Sequence, residues 1–187
     1  MQGPQALLSN YLFNSLDLTT KVLGSLPGFT DFRGFLILGR VITMGKPVIA
    51  VIDGMGGNIG HQIISQLRRE LPGDFEIIAF GTNSAATANM MKARASRGAT
   101  GENAIRVSIS QADIIVAPAA VVIANSYLGE LTPAMAEAIA SAEAEKILLP
   151  MGQPGINFVA TPHLPLPHLM DEALSSLREM LELEEEV

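Results

Sequence analysis

One stretch constrains this chain more than any other: Val-Ile-Asp-Gly-Met-Gly-Gly-Asn-Ile-Gly, residues 51–60. It joins two segments of different period. Upstream, Pro47 to Ile52 is a continuous, largely β-branched run, as expected of a strand buried on both faces. Downstream, Ile59, Ile63, Ile64, Leu67 and Leu71 recur at helical spacing until Pro72 and Gly73 stop them. A strand that passes directly into a glycine-rich loop and a helix opens a βαβ unit. Glycine suits such a loop for two reasons. The turn needs positive φ, and the missing Cβ lets backbone N–H groups and the helix N-terminus approach a phosphate. A tight strand-to-helix connection would use the same glycines.

The pattern then repeats. Phe75 to Phe80 reads as a second strand and Ser84 to Ala95 as a short helix rich in Ala and Met. Arg97 to Asn103 reads as a glycine-containing loop, and the alternation of Ile105, Val107 and Ile109 predicts a strand. Ala112 to Ala117 is another buried strand, closed by Pro118. Thr132 is an N-cap with Pro133 at the first helical position, and Met135, Ala138, Ile139 and Ala142 give that helix its buried face. Lys146 to Met151 is the last parallel strand. Residues 152–167 are rich in proline and glycine, with Ile156 to Ala160 as an added edge strand. From about His168 a final helix carries the stripe Leu169, Ala173, Leu174, Leu177 and Leu181. Together these predict a three-layer Rossmann-like α/β domain, its sheet mainly parallel with helices on both faces.

That domain spans residues 44–187. Residues 1–43 differ in character: Leu7, Leu8, Tyr11, Leu12 and Leu16 could line one helical stripe, but Gly24, Pro27, Gly28, Gly34 and Gly39 then interrupt the chain. They read as a poorly ordered or loosely docked arm, as residues added by an upstream start codon, or as an arm swapped in an oligomer. A chain of 187 residues, 48% apolar, is long enough for one core, and domains of this size bury roughly 70% of the surface their unfolded chains expose. No apolar run approaches the ~20 residues of a membrane span, and no basic segment precedes a signal-like apolar core. With no cysteine, disulfides, thiolate nucleophiles and cysteine-metal sites are excluded. These features fit a cytoplasmic protein. The net charge of −7, from 12 Lys+Arg and 19 Asp+Glu, comes without the basic face that nucleic-acid binding needs. Much of the excess lies in Glu179, Glu182, Glu184, Glu185 and Glu186, a solvated helix end or a docking tail.

The candidate ligand residues follow from the expected topology, because doubly wound sheets bind ligands at the carboxyl ends of their strands. The loop supplies Asp53, Gly54, Met55, Gly56, Gly57, Asn58, Ile59 and Gly60. Asp53 could meet a ribose, a metal-bound water or a substrate, or be an Asp-Gly turn former. Thr82 and Asn83 end the second strand and suit either ligand contact or N-capping. Glu102 and Asn103, with Thr100 and Gly101, could close over a ligand or form a solvated loop. Asn125, Ser126 and Glu130 read as packing or capping residues, with recognition as the alternative. His61 could reach a phosphate from the first helical turn. His163 and His168 flank Leu-Pro-Leu-Pro, which is not metal-ligand spacing, and no metal site or hydrolase triad is expected.

Three resemblances extend this reading. Gly54, Gly57 and Gly60 resemble the first loop of the extended short-chain dehydrogenases, T-G-x-x-G-x-x-G. Asp53 stands where that family has threonine, there is no Tyr-x-x-x-Lys, and Phe80-Gly81-Thr82-Asn83 replaces the acid that grips an adenosine ribose. A more distant likeness is to FtsZ, the bacterial tubulin relative, in the order of Gly81 to Asn83, Gly98 to Asn103 and Ala112 to Val116. Pro118 to Asn125 there replaces the tubulin phosphate loop. The chain also resembles a family of small bacterial proteins carried as a domain of unknown function, found largely in anaerobic firmicutes. That likeness runs from about Pro47 to Ala160 through Val51 to Gly60, Gly81 to Asn83, Gly98 to Ile105, Ile123 to Thr132 and Lys146 to Pro150.

The resulting expectation is a protein that binds NAD(P) or a purine nucleotide. Glycines 54, 56, 57 and 60 would surround the phosphates, Asp53, Thr82 and Asn83 would touch sugar or base, and Glu102 and Asn103 would complete the rim. A sensor or regulatory module is the first class of function. The second is a reductase or nucleotide-dependent transferase, with Asp53 or Glu102 as acid-base candidates, and the third an interaction protein with structural glycines. The Ala, Met and Ile faces of the later helices suit a homodimer or simply a core. On this expectation, Gly57→Asp or Gly60→Asp would place a side chain at the phosphate position.

Overall fold

The β-branched run before the glycine loop forms strand β1, Val48–Asp53, buried from Ile49 to its last residue. The computed structural model describes residues 46–151, 154–159 and 164–181, together with two short strands at Leu36–Ile37 and Arg40–Val41 that pair antiparallel. The rest of the extension expected over 1–43 lies outside the described residues.

After β1 the chain alternates between helix and strand: α1 Asn58–Glu70, β2 Glu76–Gly81, α2 Ser84–Lys92, β3 Arg97–Thr100, α3 Glu102–Ser108, β4 Ile114–Pro118, α4 Pro133–Ser141, β5 Glu145–Leu149 and α5 Leu166–Met180. The sheet has five strands in the order β3-β2-β1-β4-β5, and every pairing within it is parallel. The chain winds outward from β1 to β3 and then returns across β1 to β4. Its direction therefore reverses between β1 and β4, the position at which doubly wound sheets bind ligands. Register sets the floor of that edge, pairing Asp53 with Gly81 and Gly81 with Thr100.

Alternation along the strands splits the core into two layers. Ala50, Ile52, Ile78, Phe80, Ile115 and Ala117 pack with Ile105, Ile109, Leu131, Met135 and Ile139 from the α3 and α4 side. The opposite face presents Ile49, Val51, Ile77 and Ile114 toward α1, α2 and α5, whose buried residues include Ile63, Ile64, Leu67, Met90 and Leu174. Thr132 caps α4 as expected, its hydroxyl accepting from the Met135 N–H at 3.2 Å. Among the described residues no helix is long and apolar enough to cross a membrane.

Two elements differ from the sequence reading. Arg97–Thr100 is the edge strand β3 instead of a loop; most of its residues face solvent, so it lacks the apolar alternation by which strands are recognised. Residues 105–109, expected as a strand, belong to α3 and the 3-10 turn Ile109–Gln111 that follows. Ile105 and Ile109, four apart, are both buried, while Val107 between them is 65% exposed. Three apolar residues at this spacing fit either period; Gly101, at φ 87, turns the chain out of β3 and starts the helix. The edge strand expected over 156–160 reduces to a single bridge residue, Ile156, among the described residues.

This assignment has a direct mutational test. Ile105→Ala should cost about 2–5 kcal/mol in urea unfolding, whereas Val107→Ala should stay within about 0.5 kcal/mol. Equal losses at both positions would restore the strand.

Candidate functional site

The end of β1 decides how the loop is built. Asp53 is 3% exposed. Its Oδ1 accepts the Gly54 N–H and its Oδ2 the Gly60 N–H, both at 2.8 Å, and the Ile59 N–H adds a third favourable contact. The carboxylate thus caps α1 from inside and meets N–H groups that a helix start leaves without backbone partners. Burial still outweighs these bonds and pushes its carboxyl above the ordinary aspartate range. At neutral pH, burying this charge works against the fold, and that penalty fades as the group protonates.

The four loop glycines do different jobs. Gly57, at φ 67, is the N-cap of α1, and a Cβ there would stand 2.6 Å from the Ala86 backbone. A Cβ on Gly60 would overlap Met90, so this glycine lets α1 close against α2. At Gly54 it would meet the Tyr127 ring at 2.6 Å and the Thr82 hydroxyl at 2.9 Å. Gly56 alone among the four is exposed, with nothing nearer its Cβ position than Asn58 Nδ2 at 3.7 Å. The expectation that Gly57→Asp or Gly60→Asp would fill a phosphate position is therefore corrected: those Cβ positions face the protein interior. Met55, Gly56 and Asn58 form the exposed rim, and Ile59 is half-buried.

Across the rim stands Glu130, from the segment between β4 and α4. Its Oε2 accepts from the Met55 N–H at 2.7 Å, the Thr82 hydroxyl at 2.6 Å and Asn83 Nδ2 at 2.8 Å. The Thr82 bond, with those from Met55 and Asn83, holds its carboxyl below the ordinary glutamate range. Asn83 also caps α2 by accepting the Ala86 N–H at 2.8 Å and donates to the Met55 carbonyl at 2.8 Å. Of the two uses expected for Asn83, ligand contact and N-capping, the cap is present. Asn89 closes the outer side, donating to the Gly56 carbonyl and to Asn58 Oδ1, each at 3.0 Å.

The segment carrying Glu130 is bent sharply. Asn125, Tyr127 and Leu128 all hold positive φ, as does Met55 opposite, and non-glycine residues in that region cost on the order of 1 kcal/mol or more each. The bend lays Tyr127 on Gly54 and buries its hydroxyl beside the Asp53 carboxylate. The hydroxyl lies near enough to Asp53 that burial and this neighbouring charge push the phenol well above its ordinary range.

Glu102 and Asn103 stand apart from this network. Glu102 accepts from the Thr132 hydroxyl at 2.7 Å and so ties the starts of α3 and α4, while Asn103 is exposed. His61 is half-buried with Nδ1 2.9 Å from the Asn89 carbonyl. Sequence reading missed Tyr127 and Asn89 and took Glu130 as a packing or capping residue, with recognition as the alternative. An acid next to Gly129 beyond the carboxyl end of a buried strand was the available signal.

Residues 48–182 match a protein family described as Domain of unknown function (DUF3842). No curated protein and no solved structure matches the chain.

Two measurements check the geometry. Gly57→Ala should destabilise by about 1–3 kcal/mol through left-handed strain and overlap, and Gly56→Ala by less than about 0.5 kcal/mol; the reverse order in thermal unfolding would contradict these assignments. Because the Glu130 carboxyl titrates low when folded, its stabilisation is present above the unfolded value and lost as pH falls through the folded one. In an NMR pH titration, the Glu130 side-chain carboxyl carbon should hold steady through the ordinary glutamate range and move only below it. Movement within that range would show that the three bonds do not persist in solution.

Proposed function

The chain belongs to this family of unknown function, and from that premise we propose that it binds a nucleotide or dinucleotide at the carboxyl edge of its sheet, as a sensor or regulatory module. One observation carries the reading: at the point where strand order reverses, an exposed glycine-loop rim lies beside a fixed carboxylate. Asp53 and Glu130 already engage the N–H groups of Gly54, Met55 and Gly60. The phosphate of a ligand is therefore assigned to the outer N–H groups of Gly56 and Asn58. There the missing Cβ of Gly56 and the start of α1 favour an anion. Glu130 Oε2 is held by three donors, which leaves Oε1 to accept from a sugar hydroxyl. That division supplies, from the segment after β4, the acid that the end of β2 lacks.

A cytoplasmic purine nucleotide or NAD(P) fits this division of labour, since each joins phosphate to a hydroxylated sugar. The sensor class is favoured because Asp53, the acid nearest the loop, is turned inward and committed to capping. A small NAD(P)-dependent oxidoreductase or other nucleotide-dependent enzyme would use the same edge and would reveal itself by turnover of the bound ligand.

Native mass spectrometry of freshly purified protein, followed by calorimetry with NAD(H), NADP(H), ATP and GTP, tests the proposal and reads the oligomeric state. One ligand should bind near micromolar affinity, about −8 kcal/mol. Gly56→Asp, which sets a carboxylate on the rim, should keep the fold and weaken binding at least about ten-fold. Failure of every nucleotide to bind, or affinity unchanged in Gly56→Asp, would overturn it.

A further inference from the structure

A second feature lies away from the carboxyl edge, on the outer surface of α1 and α2. A cavity of about 380 Å³ is lined by His61, Ser65, Arg68 and Arg69 of α1, and by Lys92 and Arg94 at the end of α2. The α1 residues fall on one face, because positions 61, 65, 68 and 69 follow helical spacing. No acidic residue lines the cavity. Four of the 12 lysines and arginines of a chain with net charge −7 surround this one space.

Arg68 is fixed before any ligand arrives. Its Nε donates to the Arg94 carbonyl at 3.1 Å, Nη1 to the Phe75 carbonyl at 3.2 Å and Nη2 to the Ser96 hydroxyl at 2.8 Å. The guanidinium also sits 4.9 Å over the Phe75 ring. Arg69 pairs with Glu70 at 2.7 Å. The side chains of Lys92 and Arg94 have neither a hydrogen bond nor an ion pair among the described residues. Helix ends attract cations, which accounts for Arg69 and Lys92 as residues of last turns. It does not account for Arg94, which follows α2 at φ 69. Nor does it account for the convergence of both helices on one concave space. The Arg94 N–H donates to the Met91 carbonyl and the Ala93 N–H to the Met90 carbonyl, each at 3.1 Å. The turn is thus closed by its own backbone, and the side chains are left for another partner.

We propose that this cavity binds a small polyanion, a molecule carrying two or more linked phosphates. Its volume lies within the range of small-molecule sites, about 300–1,000 Å³. Clustered cations, of which Arg69 alone is paired with a carboxylate among the described residues, favour a multiply charged anion over a single one, because each added charge gains from the same positive field. Arg68 and Arg69 would set the forked donors, with Lys92 and Arg94 closing from the α2 side and the Ser65 hydroxyl completing the polar wall. The inference rests on residues separate from the glycine loop and does not depend on the nucleotide reading.

The probe is inorganic tripolyphosphate, which has no sugar or base, titrated by calorimetry into the full chain at low salt, with sulfate as the singly linked comparison. One equivalent should bind to the Gly56→Asp chain, in which the loop rim is closed to phosphate, and more tightly than sulfate. The double variant Lys92→Gln, Arg94→Asn retains side chains compatible with the helix end and the left-handed turn. It should weaken tripolyphosphate at least about ten-fold, as the loss of charge-assisted bonds requires. Gly56→Asp should leave that affinity within about two-fold, because none of the four cations of the cavity belongs to the loop rim. In NMR spectra of the wild-type chain, the Ser65 and Arg94 amides should shift on addition. No binding, binding equal to that of sulfate, or loss of affinity in Gly56→Asp but not in the double variant would overturn the proposal; the last outcome would assign the anion to the loop.

Discussion

The geometry of the carboxyl edge depends on one buried carboxylate. Asp53 ends the central strand and holds the N–H groups of Gly54 and Gly60 at 2.8 Å each, so that a single side chain fixes where the loop leaves the sheet and where α1 begins. Hydrogen bonds to a charged acceptor contribute about 1.5–3 kcal/mol apiece, and removing a carboxylate from water costs several kcal/mol. The raised protonation range of Asp53 shows burial as the larger influence. The arrangement survives because the surrounding packing holds it: Gly57 against Ala86, Gly60 against Met90, and the Tyr127 ring on Gly54. A side chain at any of these glycines would separate elements that Asp53 draws together.

With the inner N–H groups taken, Glu130 determines what the outer edge presents. It is a second carboxylate but an exposed one, held by three donors from the loop and the end of β2. Burial raises the Asp53 carboxyl and hydrogen bonding lowers that of Glu130. The two acids therefore play unlike parts only a few residues apart in space, one as a cap inside the fold and the other as a charged group on the rim. The left-handed residues Asn125, Tyr127 and Leu128 are the backbone cost of bringing Glu130 to that position. Strain of this kind persists where the surrounding structure over-determines it.

The strand-loop-helix unit was legible in the sequence because its signals are local. A β-branched run buried on both faces, glycines at a turn, and an apolar stripe of period near four can each be read within a few residues. The order of the strands was not legible, since it depends on contacts between residues far apart in the chain. Arg97–Thr100 escaped notice because an exposed edge strand need not alternate. Ile105, Val107 and Ile109 misled because spacing by two and by four cannot be told apart over three residues. At the site, the glycines announced a loop but not which way each faces. Direction is set by partners such as Ala86 and Met90, which arrive from another helix. Glu130 and Tyr127 reach Gly54 and Met55 across more than 70 residues of chain, and no local motif encodes that meeting.

We propose that the exposed Gly56–Asn58 rim, not the buried glycines, receives the ligand. Amide chemical-shift mapping of the isotopically labelled chain during titration with NAD(H) or ATP tests it most directly. The Gly56, Asn58 and Thr82 amides should move together and saturate with the bound fraction, while the Gly60 amide, held by Asp53, should move far less. If the protein saturates with nucleotide while the Gly56 and Asn58 amides stay still, or if they stay still at every concentration, the glycine loop is a structural turn and the account is wrong.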